Sequence, residues 1–192
     1  MAWKRRFPRW VYNLAIPNLT LWLIGLQLGV FVYAFLSGFN AYGNLALVSA
    51  AVLDGEVWRL FSFLILPPGG HWVFLVFVLM LFYNLGTALE AEWGSLNYSL
   101  YWGAAWLLHV GLSFLVPLGW FDNHYMVTST YIAFGILNPN YPLNFLLIPV
   151  AIPAKWFAIF TFVFWMFGLT GMLATQISIG IMLALIAVCF RR

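Results

Sequence analysis

Two short stretches, Glu56-Val57-Trp58-Arg59 and Gly86-Thr87-Ala88-Leu89-Glu90-Ala91-Glu92-Trp93-Gly94, carry most of the polar information in this chain. Only 7% of the residues are charged while 65% are hydrophobic, and the mean hydropathy is +0.96. Each charge kept beside so much apolar sequence therefore needs a reason. A soluble fold of 192 residues could not hide that apolar surface, whereas lipid accepts it. Several apolar runs reach about 20 residues, enough to cross a hydrocarbon core roughly 30 Å thick. Backbone groups in lipid must be satisfied within the segment, and the alternation of a β-barrel is absent, so the runs read as helices.

The net charge of +3 sits at the two ends of the chain. Lys4, Arg5, Arg6 and Arg9 precede the first apolar run, and Arg191 and Arg192 follow the last. This placement speaks for a membrane surface and against nucleic acid. By the positive-inside tendency both ends are expected in the cytoplasm, which requires an even number of crossings. No small-x-small cleavage site follows the first run, so a removable signal peptide is not expected. The single Cys189 excludes an intrachain disulfide.

The pattern predicts one all-α, polytopic domain of six transmembrane helices over 18–39, 72–90, 96–118, 125–137, 155–168 and 170–190, with residues 1–192 forming a single unit. Asn18 and Thr20 are placed to cap the first helix after Pro17. Residues 40–70 are too many for a simple turn and predict a partly helical, interfacial loop with 45–53 half-buried. Pro67-Pro68-Gly69-Gly70 breaks the chain before the second helix. The fourth helix is short, about 20 Å at 1.5 Å per residue. Asn138-Pro139-Asn140-Tyr141-Pro142 stops it, and the proline-interrupted run Leu143 to Pro153 is expected to lie along the interface. Trp72, Trp93, Trp102, Trp120 and Trp156 fall near helix ends as an interfacial belt, with Trp106 and Trp165 deeper. In this arrangement Lys155 is cytoplasmic, and Asp54, Glu56, Arg59 and Asp122 lie outside. Arg59 then needs a partner of its own.

Gly86, Glu90 and Gly94 repeat at i, i+4 and i+8, one stripe of a helix, where glycines admit a neighbouring helix and a carboxylate needs hydrogen-bond donors. A Trp-Arg pair (Trp58, Arg59) between the first two spans, followed by Gly-x-x-x-Glu-x-x-x-Gly closing the second, resembles the rhomboid superfamily. That superfamily contains intramembrane serine proteases and inactive relatives such as the Derlins. The resemblance implies a six-helix bundle in which Arg59 orders the first loop. Asn138-Pro139-x-x-Pro142-x-Asn144-Phe145 looks more like the Derlin-type segment, and Ile148 to Trp156 resembles the stretch before helix 5 in both branches. Matches run from Asp54 to Trp156; helices 1 and 6 match by hydropathy alone.

In active rhomboids a Gly-x-Ser-Gly turn starts helix 4 and a histidine on helix 6 is the base, because a hydroxyl needs an adjacent base to become a nucleophile. Aligned on Gly135, the serine position falls on Thr130, with Ser129 beside it and Tyr131 where glycine would stand. The helix-6 counterpart falls at Ala174 to Ser178, and no histidine follows His124. The helix-2 His and Asn positions fall on Phe74 and Val78. The resemblance therefore implies a catalytically inactive, rhomboid-like pseudoprotease, with Ser129, Thr130, Thr175 and Gln176 as degenerate catalytic positions. It implies partners that are membrane-protein clients bound through their transmembrane helices. Ser129, Thr130, Thr175, Gln176 and Ser178 are the candidate residues of a client cleft.

Two rivals stand beside this reading: an active protease using Ser129 with His71 or His124, and a small transporter or channel. Mid-helix His109 is expected to bond a neighbouring helix. The three histidines are too widely spaced, with no paired carboxylate, to predict a metal site, and no cofactor is implied. A multi-pass protein of a prokaryotic inner membrane is expected from the size; oligomeric state is left open.

Overall fold

The computed structural model describes residues 9–68, 72–115, 120–145 and 148–167, and these are mostly helical. A short α1 (Arg9–Tyr12) precedes α2 (Leu19–Ser37), which Gly38 ends in the left-handed conformation, φ 69°. Here the expected cap differs. Asn18 is itself left-handed (φ 56°), and its side chain caps nothing. The partner of the first turn comes from another helix, as described below.

The loop after α2 folds into helical fragments: α3 (Ala41–Leu45), α4 (Ser49–Leu53) and α5 (Arg59–Ser62), which runs into a 3₁₀ turn, Phe63–Ile65. Asn40 accepts from Gly43 N–H at 2.9 Å and so starts α3. Within 45–53, Ala46 and Leu47 are buried while Ala50 and Leu53 are exposed, so this segment lies on the surface of the core. An isolated antiparallel bridge joins Leu47 to Phe121, with bonds of 2.9 and 3.0 Å, and fastens the loop to the segment just before the helix that begins at His124.

Next come α6 (Trp72–Trp93), α7 (Ser95–Leu115), α8 (His124–Leu137) and α9 (Ala154–Phe167). α2 and α6 are long and apolar enough to cross a membrane. α7 reaches about 31 Å at 1.5 Å per residue but carries Asn97, Tyr98, Ser99, Tyr101, His109 and Ser113. Those polar residues have a structural cause, since Tyr98, Ser99, Tyr101, His109 and Ser113 are all buried. α8 is buried on every side from Tyr125 to Gly135, the mark of a central helix. Gly135 lets α9 approach it: a Cβ there would overlap the Ala158 side chain and lie 2.8 Å from the Ala154 carbonyl oxygen.

Three expected features take a more definite form. The run after α8 pairs as an antiparallel hairpin, β1 (Pro142–Phe145) with β2 (Ile148–Pro153). Its prolines rule out a helix while leaving an irregular strand pair possible. Trp102, expected in the interfacial belt, is buried against Phe82, the ring centroids 5.7 Å apart. Trp106 is only partly buried, and its indole N–H donates to the Leu60 carbonyl at 2.6 Å. By contrast Trp72, Trp120 and Trp156 are exposed. The expected helix over 170–190, with Thr175, Gln176, Ser178 and Cys189, lies outside the described residues.

Candidate functional site

Arg59 holds the first loop together. Its side chain is buried, and all three guanidinium nitrogens have acceptors: Nε pairs with Glu56, Nη1 donates to the Ala46 carbonyl at 2.9 Å, and Nη2 donates to the Gly43 carbonyl at 2.8 Å. A planar fork of fixed donors suits such a cage, where a lysine's single ammonium would not. Ser62 Oγ adds a bond to the Leu45 carbonyl at 2.9 Å. Neighbouring Trp58 is half-exposed, its indole donating to the Asn44 carbonyl at 3.3 Å.

Glu90 serves the opposite end of the bundle. Its Oε1 accepts from Leu19 N–H at 3.2 Å, and its Oε2 from Thr20 N–H at 3.4 Å and Thr20 Oγ1 at 3.3 Å. A carboxylate of α6 therefore caps α2, satisfying first-turn N–H groups that have no partner inside their own helix. The glycines on either side of it do different jobs. At Gly86 a Cβ would meet Thr20 Cγ2 at 2.8 Å and Tyr98 OH at 3.1 Å, so this is the close approach that the stripe predicts. At Gly94 nothing stands within 4 Å; there the requirement is φ 81°, the left-handed turn joining α6 to α7.

Between these ends, hydroxyls tie the helices together. Thr20 Oγ1 also bonds Tyr98 OH at 3.1 Å, and Thr130 lies beside the phenols of Tyr98 and Tyr101. Tyr101 OH and Ser129 Oγ are 2.5 Å apart. Ser129 Oγ donates to the Met126 carbonyl at 2.7 Å and Thr130 Oγ1 to the same carbonyl at 3.0 Å. With the serine proton on Met126, the proton of the Tyr101–Ser129 bond comes from the phenol. Ser129 and Thr130 are 2% and 0% exposed, so neither faces the expected open cleft. Thr175, Gln176 and Ser178, the other cleft candidates, lie outside the described residues.

The histidines are dispersed. His109 Nδ1 lies 2.7 Å from the Ala105 carbonyl one turn back in its own helix, not on a neighbouring one as expected, and its ring packs against Phe63 and Tyr125. Its Nε2 has no partner among the described residues, nor does the buried amide of Gln27. His124 opens α8 with its ring edge-on to Tyr125, while Ser129, five residues on, is turned towards Tyr101. His71 lies outside the described residues. No group of three metal-ligating side chains occurs among the described residues.

At the loop end of α8, Tyr42, Pro67, Asp122, Asn123 and His124 line a cavity of about 40 Å³. It is large enough for water, and Val78 and Val127 also line it while Ser129 is not part of it. Asn123 Nδ2 donates to the carbonyls of Leu64 (2.7 Å) and Leu66 (3.0 Å), pinning the 3₁₀ turn to α8. Tyr42 OH donates to the Pro67 carbonyl at 2.5 Å. Burial, with the Asp122 carboxylate adding to it, pushes the Tyr42 phenol up to about 12.

Tyr98, Tyr101, Thr20 and Asn123 were not legible as site residues from motif spacing. A usable signal did exist: Tyr98, Trp102, Ala105 and His109 repeat at i, i+4, i+7 and i+11, a buried face. A buried phenol on such a face requires a hydrogen-bond partner on another helix. No family model, curated protein or solved structure matches the chain.

Proposed function

We propose that the chain is a rhomboid-like membrane protein without protease activity, with six crossings and both ends cytoplasmic, that binds transmembrane segments of other membrane proteins. The observation that carries this reading is the fixed state of the helix-4 hydroxyls. Ser129 and Thr130 both donate to the Met126 carbonyl, and Ser129 Oγ is also hydrogen-bonded to the Tyr101 phenol. A nucleophilic hydroxyl instead needs a base to receive its proton and an open path to substrate. Arg59 in its cage and the Gly86–Glu90 contact give the Trp-Arg and glycine-stripe motifs a scaffolding role that needs no catalysis. Burial of Ser129 and Thr130 moves the client surface away from them, towards helix faces open to lipid.

The test uses purified protein in vesicles with a helical transmembrane substrate. No cleavage is expected, and the Ser129→Ala and Thr130→Ala variants should match the native chain; cleavage lost on either substitution identifies an active protease. Photoreactive residues at Gln176 and at Ile159, exposed on α9, should crosslink to membrane proteins of the host. Ion flux through the same vesicles, with no such crosslinks, would instead make the chain a channel or transporter.

A further inference from the structure

We infer that two copies of this chain pair in the membrane through the outward face of α6, the Asn84 amides meeting at a two-fold axis. The pairing presupposes the membrane embedding proposed above but not the loss of catalysis. Asn84 sits where a polar side chain has no water to reach. It lies about 18 Å from the Trp72 end of α6 and about 14 Å from the Trp93 end, at 1.5 Å per residue. Long side chains snorkel over part of such a distance, but an asparagine is too short to do so. The residue is nonetheless exposed. In α2, by contrast, Thr20 and Gln27 are turned into the core.

Its own helix satisfies the amide only in part. One Nδ2 hydrogen goes to the Met80 carbonyl at 3.0 Å, which leaves the second hydrogen and Oδ1 without a partner among the described residues. Nearby Thr87 differs: its hydroxyl returns to the Tyr83 carbonyl at 2.5 Å and needs nothing outside the helix. An unused donor beside an unused acceptor is self-complementary, so an identical amide supplies both missing bonds. An amide left unmet in hydrocarbon is costly, and amides on adjacent transmembrane helices relieve that cost by bonding across the contact.

Around Asn84 the surface has the spacing of a helix–helix seam. Met80, Asn84, Thr87 and Ala91 follow one another at intervals of four, three and four residues, the rhythm of two helices crossing at about 20°. All four are exposed or partly exposed, and they occupy the side of α6 opposite the buried Leu75, Leu79, Phe82 and Leu89. Thr87 and Ala91 are small, which lets two backbones approach. The seam carries no charge, so like charges do not oppose each other across it. Depth selects a second copy over an unrelated helix. Chains inserted with the same topology hold residue 84 at the same level. A two-fold axis along the membrane normal therefore sets α6 parallel to its counterpart and brings amide to amide. A foreign helix would need its own amide at that depth. A single asparagine within such a seam also fixes the register of a parallel pair.

The test uses the full chain in vesicles of phosphatidylcholine and phosphatidylglycerol, in a Cys189→Ser background. Molecules carrying a dye on Asp54→Cys, an exposed loop position, are reconstituted at falling protein-to-lipid ratios and counted by single-molecule photobleaching. Bleaching in two steps should dominate at the higher ratios. Asn84→Leu should raise the ratio at which half the molecules are paired by about tenfold, and Asn84→Gln, which keeps the amide, should raise it less. Under oxidation Ala91→Cys should link two copies. Phe74→Cys, exposed near the other end of α6 but off the seam, should not. Single-step bleaching at every ratio overturns the inference. So do pairs that Asn84→Leu leaves unchanged, or that link through Phe74→Cys instead of Ala91→Cys. Extraction with alkaline carbonate separates the two readings: a chain released from the vesicles is not embedded, and the pairing falls with the embedding, whereas a retained monomer removes the pairing alone.

Discussion

At the scale of single residues, Arg59 shows how a buried charge is kept. Its three acceptors are two loop carbonyls and a nearby carboxylate, each met by a different nitrogen, so a residue whose donors all sit on one nitrogen leaves the Gly43 or Ala46 carbonyl unmatched. Arg59→Lys is expected to cost roughly 2–4 kcal/mol, read as a lower midpoint in denaturant titration of the detergent-solubilised protein. Tyr42 makes a pH prediction. Its phenol is raised from 10.0 to about 12 by burial and by Asp122. The folded state therefore holds this proton more tightly than the unfolded chain does. The resulting stability is complete below pH 10 and is lost as pH rises from 10 towards 12. Thermal melts across that window should fall more steeply for the native chain than for Tyr42→Phe. These partners were invisible in the sequence for a simple reason: Gly43 and Ala46 contribute only backbone oxygen, which every residue has.

At the scale of elements, glycines mark where helices touch. Adding a methyl group at Gly135 would drive α8 from α9 at Ala154 and Ala158. Gly135→Ala should cost about 1–3 kcal/mol, while the same change at Gly103, with nothing within 4 Å, should be neutral or slightly stabilising. Paired melting curves check both. The helices were the most legible part of the chain, because a run of apolar residues ended by Gly38, Gly94 or Pro139 reports its own limits. The hairpin was not legible: Pro142, Pro149 and Pro153 said only what the run could not be, and strand pairing depends on a register that no local pattern announced. Gly86 and Gly94 looked alike in the sequence yet act differently, one through space and the other through φ.

At the scale of the whole molecule, α2 turns large apolar side chains outward and polar ones inward, the arrangement that the proposed membrane embedding calls for. Phe35, Leu36 and Trp22 are exposed on α2, while Thr20 and Gln27 of the same helix are buried. The candidate site was legible only as a set of missing residues. That Ser129 and Thr130 hold the bundle together depends on tyrosines of α7, which no motif joined to them. The carboxylate of Glu90 has a consequence for biogenesis. Synthesis delivers α2 some 70 residues before the group that finishes its first turn, since the Leu19–Glu90 contact spans 71 positions. A nascent chain halted before α6 would carry a frayed start at Asn18–Thr20. Ribosome-arrested chains ending at Leu66 should be clipped there by added protease, chains ending at Asn138, in which Glu90 has left the ribosome, should resist, and Glu90→Ala should restore clipping to the longer ones.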